Sequence, residues 1–218
     1  MSKLIVLDGT DGSGKSTQFE RLLARFEGLK GISFPDYSSP SAALVNMYLA
    51  GDLSKDPEDV NAYAASTFYA ADRYASYMMH WKSFYESGGN ILASRYTTSN
   101  LIHQMPKLGE SEREGFRDWL YDLEYVKFGL PRPDSVIYLD ITPELAQKRL
   151  SARYHGDESK KDIHEAHMDY IKKCRDTALC IAKKEGWALI PAEESGRELT
   201  EDEITDRIAA IIEDVLRQ

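Results

Sequence analysis

Lys3-Leu4-Ile5-Val6-Leu7-Asp8 runs straight into Gly9-Thr10-Asp11-Gly12-Ser13-Gly14-Lys15-Ser16-Thr17, and Phe19, Leu22, Leu23 and Phe26 then recur at helical spacing. The apolar run predicts a buried strand, and the glycines a tight loop. Residues 15–27 predict an amphipathic helix that stops at Gly28. The loop fits GxxxxGK[ST] in the context that gives that pattern meaning. Glycines let the backbone curl so that successive N–H groups face one anion, and the helix N-terminus adds partial positive charge. Lys15 can reach the β- and γ-phosphates, and the Ser16 hydroxyl can ligate Mg²⁺. The stretch therefore points to a nucleoside triphosphate without saying which reaction uses it.

The same alternation continues outward. Strands are expected at 30–34, 90–94, 135–140 and 187–190. Helices are expected at 40–50, 98–105, 110–127, 143–153, 163–185 and 201–217. Asp56-Pro57-Glu58 reads as the start of a long helix reaching about residue 86, with Asp as N-cap and Pro in the first turn. The polar run 154–161 reads as a loop. Strands separated by helices imply a parallel sheet covered on both faces. The chain is thus expected to be one α/β domain over 1–218, with a short lid at about 150–162.

Composition bounds the function. The 218 residues are 42% apolar and 29% charged, as in an ordinary globular domain. Mean hydropathy is −0.47, and no apolar run approaches the length of a membrane span. The opening MSKLIVLDG lacks the charged and apolar regions of a secretory signal. Net charge is −9, which disfavours a protein that coats nucleic acid. Cys174 and Cys180 are six apart within a predicted helix, on different faces. Free thiols and a cytoplasmic location are the expectation.

Beyond the loop, several stretches occur in a telling order. Phe34-Pro35 follows the second strand, Asp72-Arg73-Tyr74 lies on the long helix, and Ser94-Arg95-Tyr96-Thr97-Thr98-Ser99-Asn100 ends the third strand. Gly129-Leu130-Pro131-Arg132-Pro133-Asp134 precedes the fourth, and Asp162-Ile163-His164-Glu165 follows the polar run. With Asp11 in the loop, this set resembles the thymidylate kinases, within the nucleoside monophosphate kinase group of P-loop enzymes, over nearly the whole chain. The resemblance implies transfer of the γ-phosphoryl of ATP to dTMP, giving dTDP for dTTP synthesis, with Mg²⁺. It also implies a homodimer formed through helices that include the one bearing Arg73. There the small residues Ala62, Ala64, Ala65, Ala70, Ala71 and Ala75 would permit close packing.

Residue by residue, the resemblance gives Gly9 to Thr17 to ATP. Asp11 receives the acceptor's 3′-hydroxyl, and Arg95 its phosphate. The Arg95 position also suits that role physically, because it emerges at the sheet's C-terminal edge with a guanidinium fitted to phosphate. Tyr69 stacks on the base, and Arg73, four residues on and on the same helical face, donates to its carbonyl edge. Asn100 contacts the base, Phe34 and Pro35 wall the pocket, and Ser99 and His103 lie beside them.

Where some relatives place an arginine in the loop, this chain has Gly12. The transferring charge would then be met from the lid side, by Arg153 first and Arg149 second, with Lys160 and Lys161 closing the loop. Two departures stand out. Ser94 replaces the usual Asp before Arg95, leaving a hydroxyl to hold Mg²⁺ through water beside Ser16. Tyr37 stands where some members carry an arginine. The alternatives are a nucleotide-binding protein that has lost turnover, which Ser94 keeps open, and a deoxyribonucleoside kinase. The latter needs a carboxylate base that nothing here clearly supplies.

Overall fold

The computed structural model describes residues 1–153 and 167–218. The expectations placed on 154–166, including Lys160, Lys161, Asp162, His164 and most of the lid, lie outside the described residues. Five parallel strands form the sheet: β1 (Leu4–Gly9), β2 (Leu29–Ser33), β3 (Asn90–Ser94), β4 (Ser135–Asp140) and β5 (Ala188–Pro191), in the order β2-β3-β1-β4-β5. β1 is central, and each of its six residues is buried. Its side chains alternate between two cores. Leu4 and Val6 join Ile91, Ala93, Tyr96, Trp81 and Phe116 on one face. Ile5 and Leu7 join Leu22, Leu92, Ile137, Ile208 and Ile212 on the other. This is why the strand reads as a continuous apolar run rather than an alternating one.

Helix α1 (Lys15–Arg25) packs with α9 (Glu201–Arg217) over the second face. The first face is covered by α3 (Ala62–Ser76), α5 (Thr98–His103), α6 (Glu110–Tyr121) and α8 (Met168–Glu185). Among the described residues the other α-helices are α2 (Ala43–Leu49), α4 (Lys82–Glu86) and α7 (Pro143–Arg153).

The predicted start of the long helix is corrected. Asp56 does cap locally, its Oδ1 accepting from Glu58 N at 2.8 Å, but only a turn forms there. The helix begins at Ala62, because Asn61 Oδ1 accepts from both Tyr63 N and Ala64 N and so satisfies two first-turn donors. From Ser76 the chain passes through a π-turn, Tyr77–Trp81, into α4 and ends at Gly88, φ 102°. A second π-turn, Asp122–Lys127, extends α6. The segment between β5 and α9, unassigned in the sequence reading, forms a small hairpin of β6 (Glu193–Glu194) and β7 (Arg197–Glu198). Both cysteines are free, Cys174 buried and Cys180 exposed. Among the described residues no helix is long and apolar enough to cross a membrane.

Candidate active site

The loops leaving the C-terminal ends of β1, β2 and β3 converge beside one another, where ligands bind in open parallel sheets. After β1 the glycine loop turns through Gly12 (φ 80°) and Gly14 (φ 90°) into α1. These left-handed angles need glycine. Lys15 is almost fully buried, and its Nζ donates to the carbonyls of Gly9 at 2.7 Å and Thr10 at 2.9 Å. The ammonium is thus folded back into the loop it serves. Ser16 and Thr17 stand exposed in the cleft the loop opens, together with Ser33, Ser94, Arg149, Arg153 and the stretch Glu198 to Glu201.

Gly12 explains why the loop carries no arginine. A Cβ there would lie 2.8 Å from the carbonyl oxygen of Ala146 on α7. The same close approach lets α7 deliver cations to the loop. Arg149 Nη1 donates to the Gly12 carbonyl at 3.4 Å, while its Nη2 meets Glu198 at 3.4 Å. Arg153, one turn further, lines the same cleft.

A second, narrower cleft opens beside the first. It gathers all ten residues that the sequence reading gave to the acceptor: Asp11, Phe34, Pro35, Tyr37, Tyr69, Arg73, Arg95, Ser99, Asn100 and His103. Asp11, Phe34, Tyr37 and Arg95 also line the first cleft, so the two meet there. Arg95 itself adopts φ 65°, an unusual conformation for a branched-free but bulky residue. That turn sends its guanidinium back across the end of β1, where Nη2 pairs with Asp11 and Nη1 lies 2.9 Å from His103 Nε2. Burial opposes the Arg95 charge, but Asp11 and then Asp8 outweigh it, and its pKa stands above the ordinary arginine value. It is a permanent cation at the junction of the two clefts.

Some side chains do other work than the sequence suggests. The Ser99 hydroxyl donates to Asp8 Oδ2 at 2.8 Å, as does Thr98 Oγ1 at 2.7 Å, and Gly9 N donates to Asp8 Oδ1 at 2.9 Å. Asp8 is fully buried, so its carboxylate braces the start of α5 instead of facing the phosphate cleft. Arg73 is also buried. Its Nε and Nη2 donate to Glu124 at 2.7 and 2.5 Å, and Thr97 Oγ1 donates to the same carboxylate at 2.8 Å. Burial opposes the Arg73 charge as well, but Glu124 outweighs it, and the pKa is raised.

Sequence reasoning missed Glu124. Its signal was present in the i, i+4 series Phe116, Leu120, Glu124, which sets a carboxylate on a buried helix face. Leu49 also lies outside the predicted set, and the resemblance marks Gln104 only as a neighbour of His103, one turn beyond Asn100 near the sugar. Gln104 lines the acceptor cleft fully buried, with both amide atoms lacking a partner among the described residues. Such an amide suits a ligand with both donor and acceptor atoms. Behind the aromatic wall, Tyr48 meets Tyr69 edge-on at 6.4 Å. Lys107 Nζ donates to Tyr48 Oη at 3.0 Å and to the Val60 carbonyl at 2.8 Å. Burial lowers the Lys107 pKa to about 8.

The donor set also bears on metal. Among the described residues no group of three or more His, Cys, Asp or Glu side chains could hold a cation. Hydroxyl oxygens of Ser16 and Ser94 line the phosphate cleft instead. Mg²⁺ is commonly held with few protein ligands, keeping waters and phosphate oxygens, and this sparse oxygen set fits that habit.

The chain matches the thymidylate kinase family profile over residues 7–204. It is 28% identical over 162 residues to thymidylate kinase of Mycobacterium tuberculosis, covering 71% of this chain and 73% of that protein. It is 26% identical over 214 residues to thymidylate kinase of Dictyostelium discoideum, covering 96% and 84%. The solved structure of thymidylate kinase from Candida albicans superposes with a TM-score of 0.74 at 25% identity, covering 98% of this chain and 92% of that one.

Proposed function

From the chain's membership of the thymidylate kinase family, we propose how its two clefts divide the work of phosphorylating dTMP. The protein transfers the γ-phosphoryl of ATP to dTMP. ATP takes the cleft of the glycine loop, and dTMP takes the adjoining one. The observation that carries this division is that the clefts share Asp11 and Arg95, so a donor phosphate and an acceptor phosphate would meet at one fixed guanidinium. Catalysis of this kind is mostly positioning and charge neutralisation. The acceptor oxygen already carries charge and needs no strong base.

Lys15 and the loop amides cradle the β- and γ-phosphates. Arg95 anchors the acceptor phosphate and aligns it, while Asp11 receives the 3′-hydroxyl. Arg149 and Arg153 serve the transferring group from α7; the family resemblance favours Arg153, whereas the contact of Arg149 with the Gly12 carbonyl favours Arg149. Tyr69, Phe34 and Pro35 enclose the base. Asn100, Arg73 and Gln104 read its edge, and Tyr37, Ser99 and His103 complete the wall. Ser16, with Ser94 through water, would hold Mg²⁺, which neutralises and orients the phosphates when bound.

We further propose one domain over the whole chain, a homodimer and a cytoplasmic location. Of the small residues expected at a helix contact between copies, Ala62, Ala65 and Ala70 are buried in the chain's own core; the dimer reading is supported instead by Ala64, Ala71, Tyr74 and Met78, which lie exposed along α3 and its π-turn. The free cysteines support a reducing compartment. A coupled ADP-release assay with dTMP, dUMP and thymidine tests the reaction. Turnover with dTMP supports it. Turnover with thymidine but not dTMP would make the protein a nucleoside kinase, and tight nucleotide binding without turnover would leave a binding protein.

A further inference from the structure

Two arginines line the acceptor cleft, and the chain treats them differently. Arg95 is paired with Asp11 at a partly open site, the two side chains being 17% and 25% exposed. Arg73 and Glu124 are 1% and 0% exposed. Glu124 binds Arg73 through two nitrogens, and Thr97 holds one oxygen of the carboxylate in place. The contact crosses from α3 to the π-turn after α6. Such a turn shifts the helical register locally and is often found at functional sites. With Nε and Nη2 both engaged by Glu124, the Nη1 hydrogens and the second Nη2 hydrogen are the donors left for a ligand in the cleft.

We propose that Glu124 is a positioning and specificity-determining residue for the acceptor base. It fixes Arg73 in a single orientation as a charge-compensated donor, so that one end of the cleft accepts a neutral carbonyl edge and the Arg95 end accepts the phosphate. This inference rests on the reading of the cleft as the dTMP site.

Two physical consequences follow. A donor held by a two-point contact faces a 4-carbonyl with its hydrogens and a 4-amino group with a repulsion. Discrimination between keto and amino pyrimidines therefore depends on a residue that need not touch the base. The carboxylate also quenches the Arg73 charge, so a phosphate gains little by binding reversed. Arg95 is also paired with a carboxylate, Asp11, but both side chains are partly exposed, so its guanidinium stays accessible to an anion. The difference in enclosure of the two pairs thus gives the cleft a direction.

Glu124→Gln keeps the side-chain shape and removes the charge. The expected result is a rise in KM for dTMP of roughly 10- to 100-fold, the loss associated with a hydrogen bond to a charged group. The KM for ATP should be unchanged, and the ratio of kcat/KM for dTMP over dCMP should fall at least about tenfold. Inhibition by thymidine, which lacks the phosphate, should weaken by the same factor as dTMP binding. Thr97→Val loosens only the carboxylate and should give a smaller rise in the same direction.

Because a buried charge left alone can prevent folding, two double variants in which neither charge remains, Arg73→Met/Glu124→Gln and Arg73→Met/Glu124→Met, supply a second comparison. If Glu124 acts through Arg73, the two bind dTMP equally once Arg73 is gone. A difference in dTMP binding between them would overturn the proposal. So would a folded Glu124→Gln enzyme with an unchanged dTMP KM and dTMP/dCMP ratio. Absence of dTMP turnover by the unaltered protein would instead count against the substrate reading itself, so the two failures are separable.

Discussion

Replacing glycines of the phosphate loop one at a time separates backbone strain from the packing of α7. Gly12 and Gly14 both hold positive φ, 80° and 90°. Alanine at either position is forced into the left-handed region, at about 1–2 kcal/mol. Their surroundings differ. A Cβ on Gly14 would meet only Arg149 Nη1, at an ordinary 3.7 Å. A Cβ on Gly12 would lie 2.8 Å from the Ala146 carbonyl oxygen and 3.1 Å from its Cα. Those are helix backbone atoms and cannot rotate away, so loop and helix must part.

Overpacking of this kind adds about 1–3 kcal/mol. For a chain of this size, 1 kcal/mol corresponds to roughly 2–4 °C in Tm. Gly14→Ala should therefore lower Tm by about 2–8 °C, and Gly12→Ala by about 2–12 °C more. The assay is a thermal melt of each variant without nucleotide, followed by kcat, which Gly12→Ala should depress by displacing Arg149. Equal melting of the two variants would refute the claim that α7 packs on the loop and positions its arginines.

Other outcomes follow from the same geometry. Arg149→Ala should lower the single-turnover rate on the order of 10³-fold, as loss of a charge-neutralising arginine does, and more than Arg153→Ala; the reverse ranking would shift that role one turn along α7. Lys107 has a folded pKa of about 8, below the ordinary 10.5, so the unfolded chain binds more protons between those values and stability should rise with pH across the window. Its neighbours Glu58, Asp56 and Cys174 partly offset the effect of burial. The Tm difference between the unaltered protein and Lys107→Met should therefore shift in favour of the unaltered protein from pH 8 to 10, and a constant difference would contradict the assignment. Ser94→Asp should raise the apparent Mg²⁺ affinity in a titration of turnover at fixed ATP, whereas an identical curve would show that Ser94 does not face the metal.

The fold was legible where local signals agreed. The apolar run of β1, the glycine loop and the periodicity of α1 each pointed to one answer, and Thr142-Pro143 set the start of α7 correctly. Asp56 misled because a cap signal reports a turn, not the helix that follows it. Asn61 supplied the stronger cap five residues later. The π-turns were invisible because a one-residue change of register hardly disturbs the apolar pattern.

At the site, spacing and motif named the residues around the acceptor cleft but not their partners. Asp8 ends the strand that leads into the phosphate loop, yet Thr98, Ser99 and Gly9 hold its oxygens. Arg73 looked like a lone reader of the base, yet its partner lies 51 residues away. Such long-range pairings arise from packing and carry no local sequence period.

The central claim is that Arg95 holds the acceptor phosphate where the two clefts meet. Steady-state phosphorylation of dTMP by Arg95→Ala, with ATP binding measured on the same sample, tests it most directly. The expected result is a loss of at least about 100-fold in kcat/KM for dTMP, with ATP affinity nearly unchanged. Retained dTMP turnover, or an equal loss of ATP binding, would contradict the account.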